Sequence, residues 1–252
     1  MTVPEFRLFL WPHRLLVLAA GFHSAPHRHH AAQIVLGLES GLEYQGESAQ
    51  WQSAPGFVIP PDVRHAHRGT GATAMLYVEA EGAEWRSSEL RTLAGGGLRA
   101  WTPALSVLGA AREAQRSGTA AEVAAFCARA LGGPAAPELK PADPRILDVQ
   151  AFIAAHLDRP LPSAELAGEV GLSASRLAHL FRGATGIPVR RYILWRRLRA
   201  AVQSALQTGN LTEAAHAAGF ADSAHLSRTF RAMFGITPSL LASQTVSVAL
   251  LP

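Results

Sequence analysis

The sequence predicts an α+β chain in several parts: a small β domain, a helical appendage, a linker, and an all-helical C-terminal domain with two helix-turn-helix units. Three observations predict it. Short apolar runs separated by turn residues fill the chain up to about Glu81, the pattern of strands in a small sheet domain. From about Glu84 the apolar residues recur at helical spacing. One helical pattern then occurs twice near the C-terminus, about 49 residues apart. The boundaries that follow are 1–82 for the β domain, 83–131 for the appendage, 132–143 for the linker and 144–245 for the C-terminal domain.

Composition narrows the function classes. Of 252 residues 48% are hydrophobic and 17% charged, which suits a folded chain with a core rather than a disordered one. The longest uncharged apolar run, Leu15 to Phe22, has eight residues, far short of the roughly 20 that a membrane helix needs. Glu5 and Arg7 interrupt the start of the chain, so no signal peptide is read there. Cys127 is the single cysteine, which forbids an intrachain disulfide and makes the cytoplasm the expected compartment. From Pro144 onward 11 arginines face 6 acids, while the rest of the chain holds 12 bases and 13 acids. The excess positive charge therefore sits in the C-terminal domain, the electrostatic footprint of a polyanion-binding module.

The β domain is read from the runs Leu15–Ala20, Gln33–Leu38, Gly56–Ile59 and Ala74–Glu79. The best-marked helix of the appendage is Thr119 to Leu131. Val123, Phe126, Cys127 and Ala130 share one face, and Thr119 is placed to cap the amide of Glu122. That face has more apolar character than a lone surface helix needs, so the helix is expected to contribute to a homodimer. The stretch from Gly132 to Asp143 carries three prolines and no apolar period, as a linker does.

The repeat is the sharpest signal. In Ser163 to Phe181, Ser163 is placed to cap a first helix whose inner face is Leu166, Ala167 and Val170. Gly171 permits a left-handed turn. Ser173 caps a second helix that buries Leu177, Leu180 and Phe181. Small residue, tight glycine turn and second apolar helix are what a helix-turn-helix requires sterically. Leu211 to Phe230 repeats the scheme with one extra residue in the turn. Ala215, Gly219, Leu226 and Phe230 stand for Ala167, Gly171, Leu177 and Phe181. Gly186 and Gly235 follow the two second helices as C-caps. Between the copies, Pro188 to roughly Gln207 reads as one helix of about 30 Å, against about 34 Å for one turn of DNA.

Residues from about 145 to 243 resemble the DNA-binding domain of the AraC/XylS family. The second copy, Ala-Ala-Gly219-Phe-Ala-Asp-Ser-Ala-His-Leu-Ser-Arg-Thr-Phe-Arg-x3-Gly-Ile-Thr-Pro238, is very close to that family's signature. The resemblance implies a sequence-specific transcription regulator that binds double-stranded promoter or operator DNA; whether it acts with RNA polymerase as an activator, or as a repressor, stays open at this point. Base-contacting positions fall by this alignment on Ser175, Ala178 and His179, and on Ser223, Ala224, His225 and Arg228. Arg228 is the candidate for bidentate contact with a guanine edge. Ser173 opens the first reading helix, and Arg176, Arg182 and Arg231 are charges that face solvent or phosphate.

In the β domain, Gly21-x5-His27-x-His29-x3-Gln33 and Gly56 to Pro60-x-Asp62-x2-His65 resemble the two cupin motifs. The resemblance implies a barrel with inward histidines and, where metal binds, a ligand set at His27, His29, Gln33 and His65. Gln33 replaces the usual Glu and Asp62 the usual Gly. Neutral imidazoles suit Zn, Ni, Fe or Cu. His23, His30 and His67 lie near in sequence, so this region holds six of the 11 histidines. Three readings stay open: a metal effector, a small-molecule effector, or rings that merely pack; Trp11, Trp51 and Trp85 suit the lining of a small-molecule pocket and equally suit ordinary core. The function expected is a non-enzymatic regulator that responds to a metal or small molecule. The rivals are a cupin metalloenzyme with an accessory DNA-binding domain and a constitutive DNA-binding protein whose β domain only dimerises.

Overall fold

The computed structural model describes residues 6–132, 143–238 and 246–251. The chain divides into two compact units, the first made of residues 1–139 and 233–252 and the second of residues 140–232. Most of the linker read at 132–143, and residues 239–245, lie outside the described residues. Among the described residues no helix is long and apolar enough to cross a membrane.

The first unit holds two sheets. Strands β1 (Phe6–Leu10), β2 (Arg14–Ala19), β4 (Ala32–Gly37), β7 (Gly56–Ile59), β9 (Thr73–Val78), β10 (Arg99–Trp101) and β11 (Val246–Leu250) form the larger, in the order β10-β7-β4-β9-β2-β1-β11. Strands β3 (Phe22–His23), β5 (Leu42–Gln45), β6 (Trp51–Ala54) and β8 (Ala66–Gly69) form the smaller, ordered β3-β8-β5-β6. The four apolar runs became β2, β4, β7 and β9. β4, β7 and β9 are buried nearly throughout, so they read as continuous apolar segments. The others were not legible. β6 is mostly exposed and β3 has two residues, too little for a pattern.

Period-two alternation gives the larger sheet two different faces. Leu16, Leu18, Ile34, Leu36, Val58, Leu76 and Val78 point one way, into a cluster with Trp85, Leu90, Val107, Ala111, Val123, Phe126 and Cys127. Those partners come from α1 (Ala83–Ser87), α2 (Glu89–Ala94), α3 (Leu105–Ser117) and α4 (Ala120–Leu131). Thr119 caps α4 as expected, accepting from the Glu122 amide at 3.3 Å. The apolar face of α4, however, is not spare surface for a second chain. Val123, Phe126, Cys127, Ala130 and Leu131 are all core. Nor are residues 83–131 an appendage, since they close the same core as the sheet. Of the three tryptophans offered as pocket lining, Trp11 and Trp85 belong to this core and Trp51 is 36% exposed.

The other face of the larger sheet meets the smaller one through Val17, Gln33, Phe57, Met75 and Tyr77, all buried. Phe57 packs on Tyr44 of β5 and on His67 of β8, with centroids at 5.1 and 5.5 Å. The final strand was unforeseen. β11 pairs parallel to β1, Phe6 opposite Val246 through Leu10 opposite Leu250. A parallel neighbour needs a long connection, and here nearly the whole chain supplies it.

The second unit contains α5 (Pro144–Ala155), α6 (Ser163–Gly168), α7 (Ala174–Thr185), α8 (Val189–Thr208), α9 (Leu211–Ala217) and most of α10 (Ser223–Phe234). Ile146, Val149 and Ile153 of α5 pack with Leu166, Ala167, Leu177, Phe181, Tyr192 and Ile193. Of the stretch read as 144–245, residues from Met233 onward group with the first unit.

Phe126 is fully buried, so Phe126→Ala should cost about 3–5 kcal/mol, measured by chemical denaturation. Sedimentation of the folded variant should match that of the native chain. A changed oligomeric state at unchanged stability would show that α4 serves a partner rather than the core.

Candidate nucleic-acid interface and histidine site

The two helix pairs of the second unit close in the same way. The Leu172 amide donates to Ala167 O, and the Phe220 amide to Ala215 O, each at 2.9 Å. This is the six-to-one bond of a left-handed helix end, and Gly171 and Gly219 supply it at φ +64° and +76°. Gly219 carries a second constraint, since a Cβ there would overlap Leu157 O. That carbonyl is fixed by Arg197, whose Nε donates to it at 2.9 Å while Nη2 donates to Arg159 O. Arg197 is therefore a structural arginine, its pKa lowered by burial.

Capping separates the two second helices. Ser173 accepts from the Arg176 amide at 3.2 Å, so its hydroxyl is committed to starting α7. Ser163 does not cap α6. Pro162 occupies the N-cap, with no side-chain bond. For α10 the cap is Asp222, missed in the sequence, whose Oδ1 accepts from the His225 amide at 2.6 Å. That bond holds the Asp222 carboxyl below its ordinary range. Aspartate, serine, threonine and asparagine are the usual capping residues, and Asp222-Ser223 offered two of them in a row.

On α7 the face opposite Leu177 and Phe181 presents Ser175, Arg176, Ala178, His179 and Arg182, all exposed. On α10, Ala224, Arg228 and Arg231 are exposed, while Ser223 and His225 are half-buried. The His225 ring stands edge-on to Phe220, centroids 5.2 Å apart. Leu226 and Phe230 are buried beneath. On α8, Arg190 is exposed and Arg196 donates to the Tyr192 hydroxyl at 3.0 Å.

In the first unit His27, His29 and His65 converge. The main chains of His27 and His65 exchange two hydrogen bonds of 2.9 Å, which sets their rings 4.1 Å apart between centroids. His29 lies 4.9 Å from His65 and 5.5 Å from His27. Each ring is turned by a carbonyl two residues away. His27 Nδ1 contacts Ala25 O at 2.8 Å, His29 Nδ1 contacts Ala31 O at 2.8 Å, and His65 Nδ1 contacts Val63 O at 2.9 Å. A carbonyl can only accept, so each Nδ1 carries the proton and each Nε2 keeps its lone pair.

The Nε2 atoms of His27 and His65 are buried with no partner. Burial, and for His27 also the neighbouring His29, pushes the His27 pKa down to about 3. Burial brings His29 down to about 4 and holds His65 well below the ordinary value. All three rings are thus neutral near pH 7, the form that ligates metal. Gln33 Oε1 lies 3.0 Å from His29 Nε2, and Gln33 Nε2 is buried without a partner. Because His29 Nδ1 donates to Ala31 O, a neutral ring requires the amide turned over, so that its NH2 faces the Nε2 lone pair and its oxygen takes the other position.

The three ligand atoms lie within 4.8 Å of one another. Ligands about 2.1 Å from one ion stand no more than about 4.2 Å apart, and about 3.4 Å in a tetrahedron. These residues fit an ion after a small inward movement. A metal-bound histidine ordinarily donates its second nitrogen to a carbonyl or carboxylate, which is the arrangement present. His67 belongs to the wall instead, stacked on Phe22 at 4.9 Å with Nε2 against Met75 Sδ at 3.3 Å. His30 pairs with Glu81 at 2.7 Å, and His23 is exposed. Asp62, where the motif has glycine, adopts a glycine-like φ of +65° and donates its amide to His29 O at 2.8 Å.

Comparison with known proteins bears on the second unit first. Residues 166–244 match the family described as Helix-turn-helix domain. The regulator GbdR of Pseudomonas aeruginosa is 34% identical over 96 residues, 38% of this chain and 26% of its own length. The arabinose operon regulatory protein of Salmonella typhimurium is 35% identical over 104 residues, 39% and 36% of the two lengths. Residues in the C-terminal part are thus similar to the helix-turn-helix domains of these regulators. The chain spans only about a quarter to a third of these relatives, so the match concerns this C-terminal segment. For the fold of the longer chain, the crystal structure of ToxT from Vibrio cholerae O395 aligns with a TM-score of 0.60 at 11% identity. It covers 91% of this chain and 96% of that one. An unsaturated fatty acid-bound ToxT structure from Vibrio cholerae, covering 92% of this chain and 95% of that one, aligns with a TM-score of 0.56 at 14% identity.

The two glycine turns should respond differently to a methyl group. Gly171 faces open space, so Gly171→Ala should cost about 1 kcal/mol from the left-handed backbone alone. Gly219→Ala must also displace Leu157 O and should cost about 3 kcal/mol or more. Thermal unfolding of the two variants provides the comparison, and equal losses would contradict the packing described.

Proposed function

We propose that the chain is a sequence-specific transcription regulator that binds duplex DNA through α6–α7 and α9–α10, its affinity set by a divalent transition metal held by His27, His29 and His65. The exposed polar and basic faces of α7 and α10, within a domain of AraC type, carry the DNA-binding part. α8 supports a reading of two major grooves, because a helix of 20 residues measures about 30 Å and nearly matches one DNA turn. Arg228 reads a guanine edge by a bidentate contact. Ser175, Ala178, His179, Ser223 and Ala224 line the base-facing surface, while Arg176, Arg182 and Arg231 neutralise phosphates. His225 contributes little reach, being held against Phe220. A second copy of the chain and RNA polymerase complete the functional complex.

The orphaned Nε2 atoms of His27 and His65 support the metal part. His27, His29 and His65 would hold the ion, with the Gln33 oxygen or water as fourth ligand, and Zn, Ni or Fe suit such a nitrogen set. Bound there, the ion would supply charge and a fixed geometry to the loops that carry the rings. An organic effector has its own support in a cavity of about 760 Å3 in the first unit, walled by Phe6, Phe22, Glu43, Arg68 and Ile236 among others.

DNA selected from a random duplex pool should bind the full chain, with affinity falling steeply as salt rises because arginine–phosphate contacts release counterions. Arg228→Ala should cost about 1–3 kcal/mol and relax preference at one base pair. A loss uniform across sequences would make Arg228 a phosphate contact, and salt-independent binding would sink the DNA assignment.

Protein purified without an affinity tag should carry close to one transition-metal ion per chain by elemental analysis, and His65→Ala should carry none while remaining folded. If the native chain takes up no ion from excess Zn2+, the metal reading fails and the cavity becomes the effector site. DNA affinity indifferent to both metal and small molecules would identify a constitutive binder.

A further inference from the structure

Met233 and Phe234, the last two residues of α10, and the turn after them belong to the first unit, where Gly235 lies against the loop that carries His27. We propose that Ala25, Phe234 and Gly235 form the relay through which an ion at His27, His29 and His65 fixes the C-terminal end of α10. The inference rests on the metal reading above and names how that site would be read.

Ala25 stands at the centre. Its carbonyl accepts from His27 Nδ1 at 2.8 Å, and its amide donates to Gly235 O at 3.2 Å. One residue thus holds a ligand ring with one main-chain group and the end of α10 with the other. Gly235 has φ +69°. A Cβ there would stand 2.5 Å from Ala25 O and 2.8 Å from His27 Nδ1. The two main chains therefore touch without a side chain between them, and neither can shift without the other.

A second contact runs through the rings. Phe234 is buried, with its centroid 6.3 Å from His29 and 5.9 Å from Tyr77, and Tyr77 is 5.2 Å from His29. The ligand atoms lie within 4.8 Å of one another, whereas a tetrahedral ion needs about 3.4 Å, so binding draws the rings together. Close-packed interiors pass such displacements on rather than absorbing them.

The displacement arrives at a helix end. α10 runs unbroken from Ser223 to Phe234, so Arg228 lies on the same rod as Phe234. An ion that orders the last turn removes conformational freedom from α10 before DNA does, and the DNA then has less to fix. The reverse sign, an ion that strains the turn, would weaken DNA binding through the same contacts.

Hydrogen exchange of the full chain, with and without Zn2+, tests the relay without any variant. Amides in peptides covering 22–30 and 230–238 should both slow by at least about fivefold. Protection confined to 22–30, with 230–238 unchanged, would overturn the relay while leaving the metal site standing. Phe234→Leu then provides the functional arm. It should bind Co2+ with the native absorption spectrum yet lose most of the metal effect on DNA affinity, an effect expected within about 5- to 150-fold in the native chain. An undiminished metal effect in that variant would overturn the proposal. Absence of any Co2+ spectrum in the native chain would overturn the metal reading itself, and the relay with it.

Discussion

Two main-chain hydrogen bonds between His27 and His65 organise the functional part of the first unit. They clamp the loop before β4 to the loop before β8, so residues almost forty positions apart present their rings to one point. Three carbonyls then decide which nitrogen of each ring looks inward. Leaving two imidazole nitrogens buried and unpaired costs about 1–3 kcal/mol each. A fold that only needed to fill space would have placed leucine or methionine there. Unsatisfied groups at a fixed, converging geometry call for an explanation, and a bound ion or water is one that the ring orientations suit.

The surrounding architecture serves that point. Alternation along β4 and β9 sends Ile34, Leu36, Leu76 and Val78 into the helix-covered core and leaves Gln33, Met75 and Tyr77 for the space between the sheets. The helices that cover the outer face are therefore what allows the inner face to be polar. In the second unit the equivalent constraint is the pair of left-handed glycine turns. Each fixes the angle between two short helices with one hydrogen bond, which is how α6 (Ser163–Gly168) and α9 (Leu211–Ala217), too short to be stable alone, hold the longer helix that follows in place.

Much of this was legible in the residues, for reasons that differ by element. The repeat was clear because a helix-turn-helix confines residue types at fixed spacing. Ala167, Gly171, Leu177 and Phe181 occur in the roles read for them, as do their counterparts in the second copy. β4, β7 and β9 were legible because buried strands are continuously apolar. His27, His29 and His65 were named from the resemblance to two cupin motifs, and their rings converge. The misses have physical causes too. The apolar face of α4 looked like an interface because sequence shows amphipathicity and not what covers it. Ser163 looked like a cap, but Pro162 already has the extended backbone of that position. β11 pairs with β1 from the opposite end of the chain, a contact no local pattern encodes. Gly235 was read as a helix C-cap, and its closeness to Ala25 and His27 follows from tertiary packing only.

X-ray absorption on the Zn2+-loaded full chain tests the central claim most directly. The account predicts a shell of three imidazole nitrogens at about 2.0–2.1 Å with one further oxygen or nitrogen donor, and His65→Ala, which should retain no ion, should give no imidazole scattering. A shell of water oxygens without imidazole scattering, or one unchanged by that substitution, would contradict it.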